Sequence, residues 1–91
     1  MEEKLILYLR GDHSCSYCEK VRAEMERLGL EFLERDINQT DVADELIERG
    51  GKLQVPYLVD VENAVEMYES DDIIGYVREQ FGAPQEDALP I

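Results

Sequence analysis

Leu5-Ile6-Leu7-Tyr8-Leu9 is an unbroken apolar run of strand length, and a strand that is apolar at every position must be covered on both faces. In a chain of 91 residues this leaves room for one sheet, with that strand in its middle and a few helices around it. From Cys15 onward the apolar residues Cys18, Val21, Met25 and Leu28 recur every three or four positions among charged ones until Gly29, which predicts an amphipathic helix. Glu31 to Ile37 carries Phe32 and Leu33 amid charges and reads as a second, less buried strand. Asn38 or Thr40 is then placed to cap a helix whose apolar side is Val42, Ala43, Leu46 and Ile47 and whose end is Arg49-Gly50-Gly51. Residues 57–61 and 64–68, separated by Glu62-Asn63, predict a hairpin. Ser70-Asp71-Asp72 opens a last helix with Ile73, Ile74, Val77 and Phe81 on one face, ended by Gly82 and Pro84.

The order is strand, helix, strand, helix, hairpin, helix. A helical crossover makes the first two strands parallel, and the hairpin continues the sheet in antiparallel sense. The expected fold class is therefore α/β, a four-stranded mixed sheet flanked by three helices, in one domain over residues 1–82. Residues 83–91 read as a flexible C-terminal tail. Twenty-two acidic residues against nine basic ones leave a net charge of −13, which repels nucleic acid and anionic lipid, so neither is an expected partner. No apolar run approaches the ~18 residues of a membrane span, and Met1-Glu2-Glu3-Lys4 lacks the basic-then-apolar pattern of a secretory signal. A cytoplasmic monomer is expected.

The two cysteines stand as Cys15-Ser16-Tyr17-Cys18, where the first strand hands over to the first helix. At a helix N-terminus the unpaired N–H groups and the macrodipole favour an anion, so the Cys15 thiolate is stabilised and Cys15 becomes the attacking sulfur. Cys18, one turn further in, is placed to resolve a mixed disulfide at Cys15. Three other readings compete. A structural disulfide across so short a loop contributes only roughly 2 kcal/mol and tends to be reduced in a cytosol. Zinc needs four ligands, whereas Cys15, Cys18 and the lone His13 make three at most; no metal site is assigned. Two inert core cysteines would suit an apolar helix, but Cys15 sits among Asp12, His13, Ser14 and Ser16, a wet setting. His13 itself reads as an exposed loop residue, with modulation of the Cys15 thiolate as the functional alternative, and Tyr8, Tyr57, Tyr68 and Tyr76 read as packing. In Gln54-Val55-Pro56, proline belongs at the first position of the third strand, as an edge or turn residue or as a cis Val55–Pro56 bond.

Together these residues resemble the glutaredoxin family of the thioredoxin superfamily. The resemblance runs from about Lys4 to Gly82 and rests on the strand, Cys15-Ser16-Tyr17-Cys18, Arg22, Val55-Pro56 and Ser70-Asp71-Asp72. Val55-Pro56-Tyr57-Leu58-Val59 through Met67-Tyr68-Glu69-Ser70 is also similar to the N-terminal domain of glutathione transferases, where a Glu-Ser pair holds the γ-glutamyl end of glutathione. The resemblance implies a thioredoxin/glutaredoxin-like fold and a glutathione-dependent thiol–disulfide oxidoreductase that acts on protein disulfides or glutathione mixed disulfides. It implies a glutathione site of Tyr17, Lys52, Val55, Pro56, Glu69, Ser70 and Asp71. In that site the Val55 backbone pairs with the glutathione cysteine, a cis Pro56 faces the Cys15 sulfur, and Glu69, Ser70 and Asp71 receive the γ-glutamyl group.

The chain departs from the glutaredoxin pattern in places. Asp12 stands where dithiol glutaredoxins carry a lysine, with Arg10 the nearest basic residue; Lys52 stands where the family has a glutamine or arginine contact. Tyr68-Glu69 replaces a Gly-Gly pair, and Ser16 stands where many members have proline. These departures keep other functions in view: a dimer holding a glutathione-ligated [2Fe–2S] cluster through Cys15, an electron donor specific to one partner and reduced by thioredoxin reductase, and a non-catalytic glutathione-binding module.

Overall fold

A computed structural model describes residues 4–82; the expected tail at 83–91 lies outside them. The elements are β1 (Leu5–Leu9), α1 (Ser16–Arg27), β2 (Leu33–Asp36), α2 (Thr40–Gly50), β3 (Tyr57–Asp60), β4 (Val65–Met67) and α3 (Ser70–Val77), with a π-helical extension of α3 over Arg78–Gly82. The sheet order is β2-β1-β3-β4, with β1 parallel to β2 and antiparallel to β3. This is the four-stranded mixed sheet with three helices that the element order predicts.

Because side chains alternate along a strand, β1 feeds two cores. Leu5, Leu7 and Leu9 pack with Cys18, Val21 and Met25 of α1, Leu58 of β3, and Ile73, Ile74 and Val77 of α3. Tyr8 packs on the other face with Val42 and Leu46 of α2 and with Tyr57 and Val59 of β3. Full burial of one such aliphatic side chain is worth about 1.5–3 kcal/mol, so strand and helices hold one another in place. No helix among the described residues is long and apolar enough to cross a membrane.

The structure corrects the pattern in several places. Neither Asn38 nor Thr40 caps α2: Gln39 holds the cap position without a side-chain bond, and Asp36 Oδ1 accepts from Asn38 N and Gly11 N, each at 2.9 Å. Ile47, assigned to the apolar side of α2, is 42% exposed, because the stripe that meets the sheet is centred on Val42 and Leu46. The hairpin turn takes four residues, 61–64, rather than two, since buried Asp60 accepts from Asn63 N at 3.2 Å and from Asn63 Nδ2 at 2.8 Å. Burial pushes the Asp60 carboxyl up, but the bonds from Asn63 and Tyr76 outweigh it and leave the group below its usual range.

Glu24, placed by the periodicity among the exposed charges of α1, is buried. It accepts from Arg27 Nη2 at 2.6 Å and from Arg78 Nε at 2.8 Å, tying α1 to the end of the chain's last helix. Those bonds, Arg27's first, lower the Glu24 carboxyl from an ordinary 4.5 to about 2. A group depressed on folding stabilises above its unfolded pKa and loses that contribution as pH falls through the folded one. Glu24→Gln should therefore destabilise by about 1–2 kcal/mol at pH 7, with the gap to wild type closing as pH drops from 4.5 toward 2. Urea unfolding of both proteins across that window measures it; a gap constant with pH would contradict this account.

Candidate active site

β1 ends at Leu9, and the chain passes through Arg10 and a turn to the start of α1. Gly11 N donates to Asp36 Oδ1 and Ser14 N to Asp12 Oδ1 at 3.0 Å, so two carboxylates shape the turn. The Ser14 bonds hold the Asp12 carboxyl below the usual range. Cys15 takes the N-cap position of α1 with an extended backbone. Its Sγ accepts from Cys18 N at 3.2 Å, which is the directed donor that a helix N-terminus offers an anion.

Cys15 and Cys18 are joined by a disulfide, with their Cα atoms 5.2 Å apart. The two sulfurs differ in access. Cys18 is wholly buried within the leucine core, whereas Cys15 is partly exposed and lines a cleft. Of the two, only Cys15 is open to a partner from outside. The exposed His13, at φ 68°, turns its Nδ1 toward Glu19 Oε2 at 3.1 Å, so it is paired with α1 as a loop residue.

Two lobes of a groove meet beside the disulfide. One, of about 420 Å³, is lined by Tyr17, Gln54, Val55, Pro56, Glu69, Ser70 and Asp71. The other, of about 470 Å³, is lined by Arg10, Ser14, Cys15, Ser16, Tyr17, Ile37, Leu53, Gln54 and Val55. Tyr17, Gln54 and Val55 border both. The Val55–Pro56 bond is cis, and Pro56 immediately precedes β3 rather than opening it. Six of the seven residues that the resemblance assigns to glutathione thus share one lobe, next to Cys15.

Lys52 is the exception. Its ammonium lies 4.9 Å from the centroid of the Tyr68 ring, and its backbone is braced by Tyr68, whose hydroxyl donates to Lys52 O at 2.8 Å and accepts from Lys52 N at 3.3 Å. It lines neither lobe. Gln54, which has no role in the sequence reading, borders both lobes and donates to Glu69 Oε2 at 3.4 Å; its place directly before Val55-Pro56 is the sequence signal for it. Asp71 is paired with Lys20 Nζ at 3.0 Å. Tyr57 packs between Tyr8 and Tyr68 with tilted rings, the centroids 5.9 and 4.4 Å away. Among the described residues no group of three or more His, Cys, Asp or Glu side chains is arranged to hold a metal ion. A [2Fe–2S] cluster takes thiolates, and this chain's two cysteines are bonded to each other.

Ser70 does not cap α3, as its sequence context suggested; it is the buried first residue of the helix, and Glu69 takes the cap position at φ 67° without a side-chain capping bond. A non-glycine residue in that region carries strain of order 1 kcal/mol, and it falls where the glutaredoxin pattern has glycine. Glu69→Gly should raise stability by about 0.4–1 kcal/mol while removing the Gln54 contact. Chemical denaturation of both proteins checks this; a destabilised variant would mean that the Glu69 side chain contributes more than its backbone costs.

Residues 9–85 match the family model described as the glutathione S-transferase N-terminal domain. A search of curated protein sequences found no match. Among solved structures, the chain is similar to glutathione transferase Omega 3C from Trametes versicolor, at a TM-score of 0.75 and 19% identity over 91% of this chain and 36% of that one. It is similar to glutathione transferase URE2P6 from Phanerochaete chrysosporium in complex with oxidized glutathione, at 0.73 and 22% over 89% and 38%. It is also similar to dehydroascorbate reductase from Chlamydomonas reinhardtii, at 0.66 and 24% over 88% and 40%. The chain thus spans about two fifths of the length of these proteins. With the family model matching residues 9–85, most of its length, the chain belongs to the glutathione S-transferase N-terminal domain family.

Proposed function

We propose that this protein is a glutathione-dependent thiol–disulfide oxidoreductase of the cytoplasm, acting as a monomer on protein disulfides or glutathionylated proteins. The observation that carries the reading is the asymmetry of the Cys15–Cys18 pair: one sulfur opens on a groove and its partner is sealed in the core. Two buried cysteines would serve structure; one exposed and one buried suit exchange. A transferase with a similar fold was solved with oxidized glutathione, which supports glutathione as the groove's ligand.

In the reduced protein the Cys15 thiolate attacks the glutathione sulfur of a mixed disulfide. A Cys15–glutathione disulfide forms and the substrate protein leaves as its thiolate. A second glutathione thiolate then attacks that disulfide, releasing oxidized glutathione and restoring Cys15. With a protein disulfide as substrate, Cys15 forms a mixed disulfide with one substrate sulfur. Cys18 then attacks Cys15, freeing the substrate dithiol and leaving the Cys15–Cys18 disulfide, which two glutathione molecules reduce at the cost of their own oxidation. The helix N-terminus and the Cys18 N–H act on the Cys15 anion in each step, and an acidic thiol is also the better leaving group.

The test is turnover of a glutathionylated peptide with glutathione, glutathione reductase and NADPH. Wild type and Cys18→Ser should both turn over, Cys18→Ser should fail on a protein disulfide, and Cys15→Ser should be inactive on both. Activity retained by Cys15→Ser would reverse the assigned roles. Folded wild type that is idle with glutathione but active with thioredoxin reductase would make it a partner-specific donor, and a brown, glutathione-dependent species purified without oxygen would make it a cluster carrier.

A further inference from the structure

The segment 51–56, whose Leu53, Gln54, Val55 and Pro56 line the two lobes, belongs to no helix or strand. A backbone without a ladder must find its hydrogen bonds elsewhere or stay loose. At its start one side chain supplies them. The Tyr68 hydroxyl donates to Lys52 O at 2.8 Å and accepts from Lys52 N at 3.3 Å, so both backbone groups of Lys52 end on a single phenol oxygen.

The phenol is itself held from three sides. Its ring lies 4.4 Å from that of buried Tyr57, and the Lys52 ammonium lies 4.9 Å from its centroid. Gly50, the last residue of α2, leaves the space that the hydroxyl occupies, since a Cβ there would overlap Oη and Cζ of Tyr68. Directly after Tyr68, Glu69 Oε2 accepts from Gln54 Nε2 at 3.4 Å. The two residues that join β4 to α3 thus grip the segment at Lys52 and at Gln54, on either side of Leu53 and next to Val55. They are the same two residues that replace the Gly-Gly pair of the glutaredoxin pattern, and a glycine could make neither contact.

We propose that Tyr68 is a positioning residue of the groove, its hydroxyl fixing the backbone at Lys52 and with it the wall of Leu53, Gln54 and Val55 beside Cys15. This deepens the glutathione reading and rests on it for the groove's ligand. Tyr68 lines neither lobe and acts through the segment it holds. A wall that is ordered before binding spares the ligand the entropy of ordering it. The clamp should therefore show in affinity and not in the reactivity of the Cys15 sulfur.

Tyr68→Phe removes the hydroxyl and keeps the ring on Tyr57. In hydrogen exchange followed by NMR without added ligand, the amides of residues 52–55 should exchange about five- to tenfold faster than in wild type, while those of β1 and α1 keep their rates. S-methylglutathione, which has no thiol to react, should bind the disulfide form of the variant about fivefold more weakly. Alkylation of Cys15 by iodoacetamide in the reduced form should keep its wild-type rate. Gly50→Ala, which denies the hydroxyl its space from the other side, should reproduce this pattern, and the double variant should lose little more than either single one. Tyr76→Phe, which removes a phenol hydroxyl bonded to Asp60 away from both lobes, should change neither the segment nor the affinity. Unchanged exchange at 52–55 in Tyr68→Phe, wild-type affinity in a loosened variant, an equal loss in Tyr76→Phe, or alkylation of Cys15 slowed as much as binding is weakened would each overturn the proposal. Because exchange is read without ligand, a wild type that fails to take S-methylglutathione while Tyr68→Phe loosens the segment would reject glutathione as the groove's ligand and leave the clamp standing.

Discussion

Everything in this molecule leans on the two-sided burial of β1. Leu7 faces the α1–α3 layer and Tyr8 faces α2, so one five-residue strand nucleates both cores and fixes which helix covers which face. A strand in that position cannot slip register by one residue without exchanging its leucines for Ile6 and Tyr8 in a close-packed layer. The loop leaving β1 is consequently held at the edge of both cores, and Cys15 is the residue that loop delivers to the N-cap of α1.

The same packing separates the two sulfurs. Cys18 belongs to the helix face that meets Leu5, Leu7 and Leu9, while Cys15 stands at the cap, where the helix has not yet turned inward. Helical geometry and the hydrophobic effect therefore give the two sulfurs different access, one partly exposed and one sealed in the core. The groove beside Cys15 draws on other segments: Val55 and Pro56 before β3, Glu69 and Ser70 at the start of α3, and Arg10 at the end of β1. It forms where the β3-facing loop and two helix N-termini converge, which brings backbone donors, a half-exposed sulfur and charged side chains to one place.

Charge is organised rather than merely excessive. Most cations of this acidic chain serve structure, as Glu24 with Arg27 and Arg78 joins α1 to the extension of α3. The carboxylates of Asp12, Asp36 and Asp60 accept from backbone or amide donors and shape turns. Pairing on this scale commits seven of the nine cations to carboxylates among the described residues.

Local pattern was enough to specify the elements and their order, because apolar periodicity reports which face is buried wherever that face is continuous, as at Val21, Met25, Ile73 and Val77. It also located Cys15 and Cys18, since strand-to-helix position sets a thiol's environment within a few residues. It missed Glu24, whose burial depends on Arg78 returning from 54 residues away. The resemblance assigns Lys52 to the glutathione site by its offset from Pro56, and an offset carries no information about the Tyr68 ring on which that ammonium lies. Gln54 draws no role because it is an ordinary polar residue in its own segment. What sets it apart, a border shared by two lobes, is a property of distances between segments, and those distances exist only once the sheet has paired and the helices have closed over it.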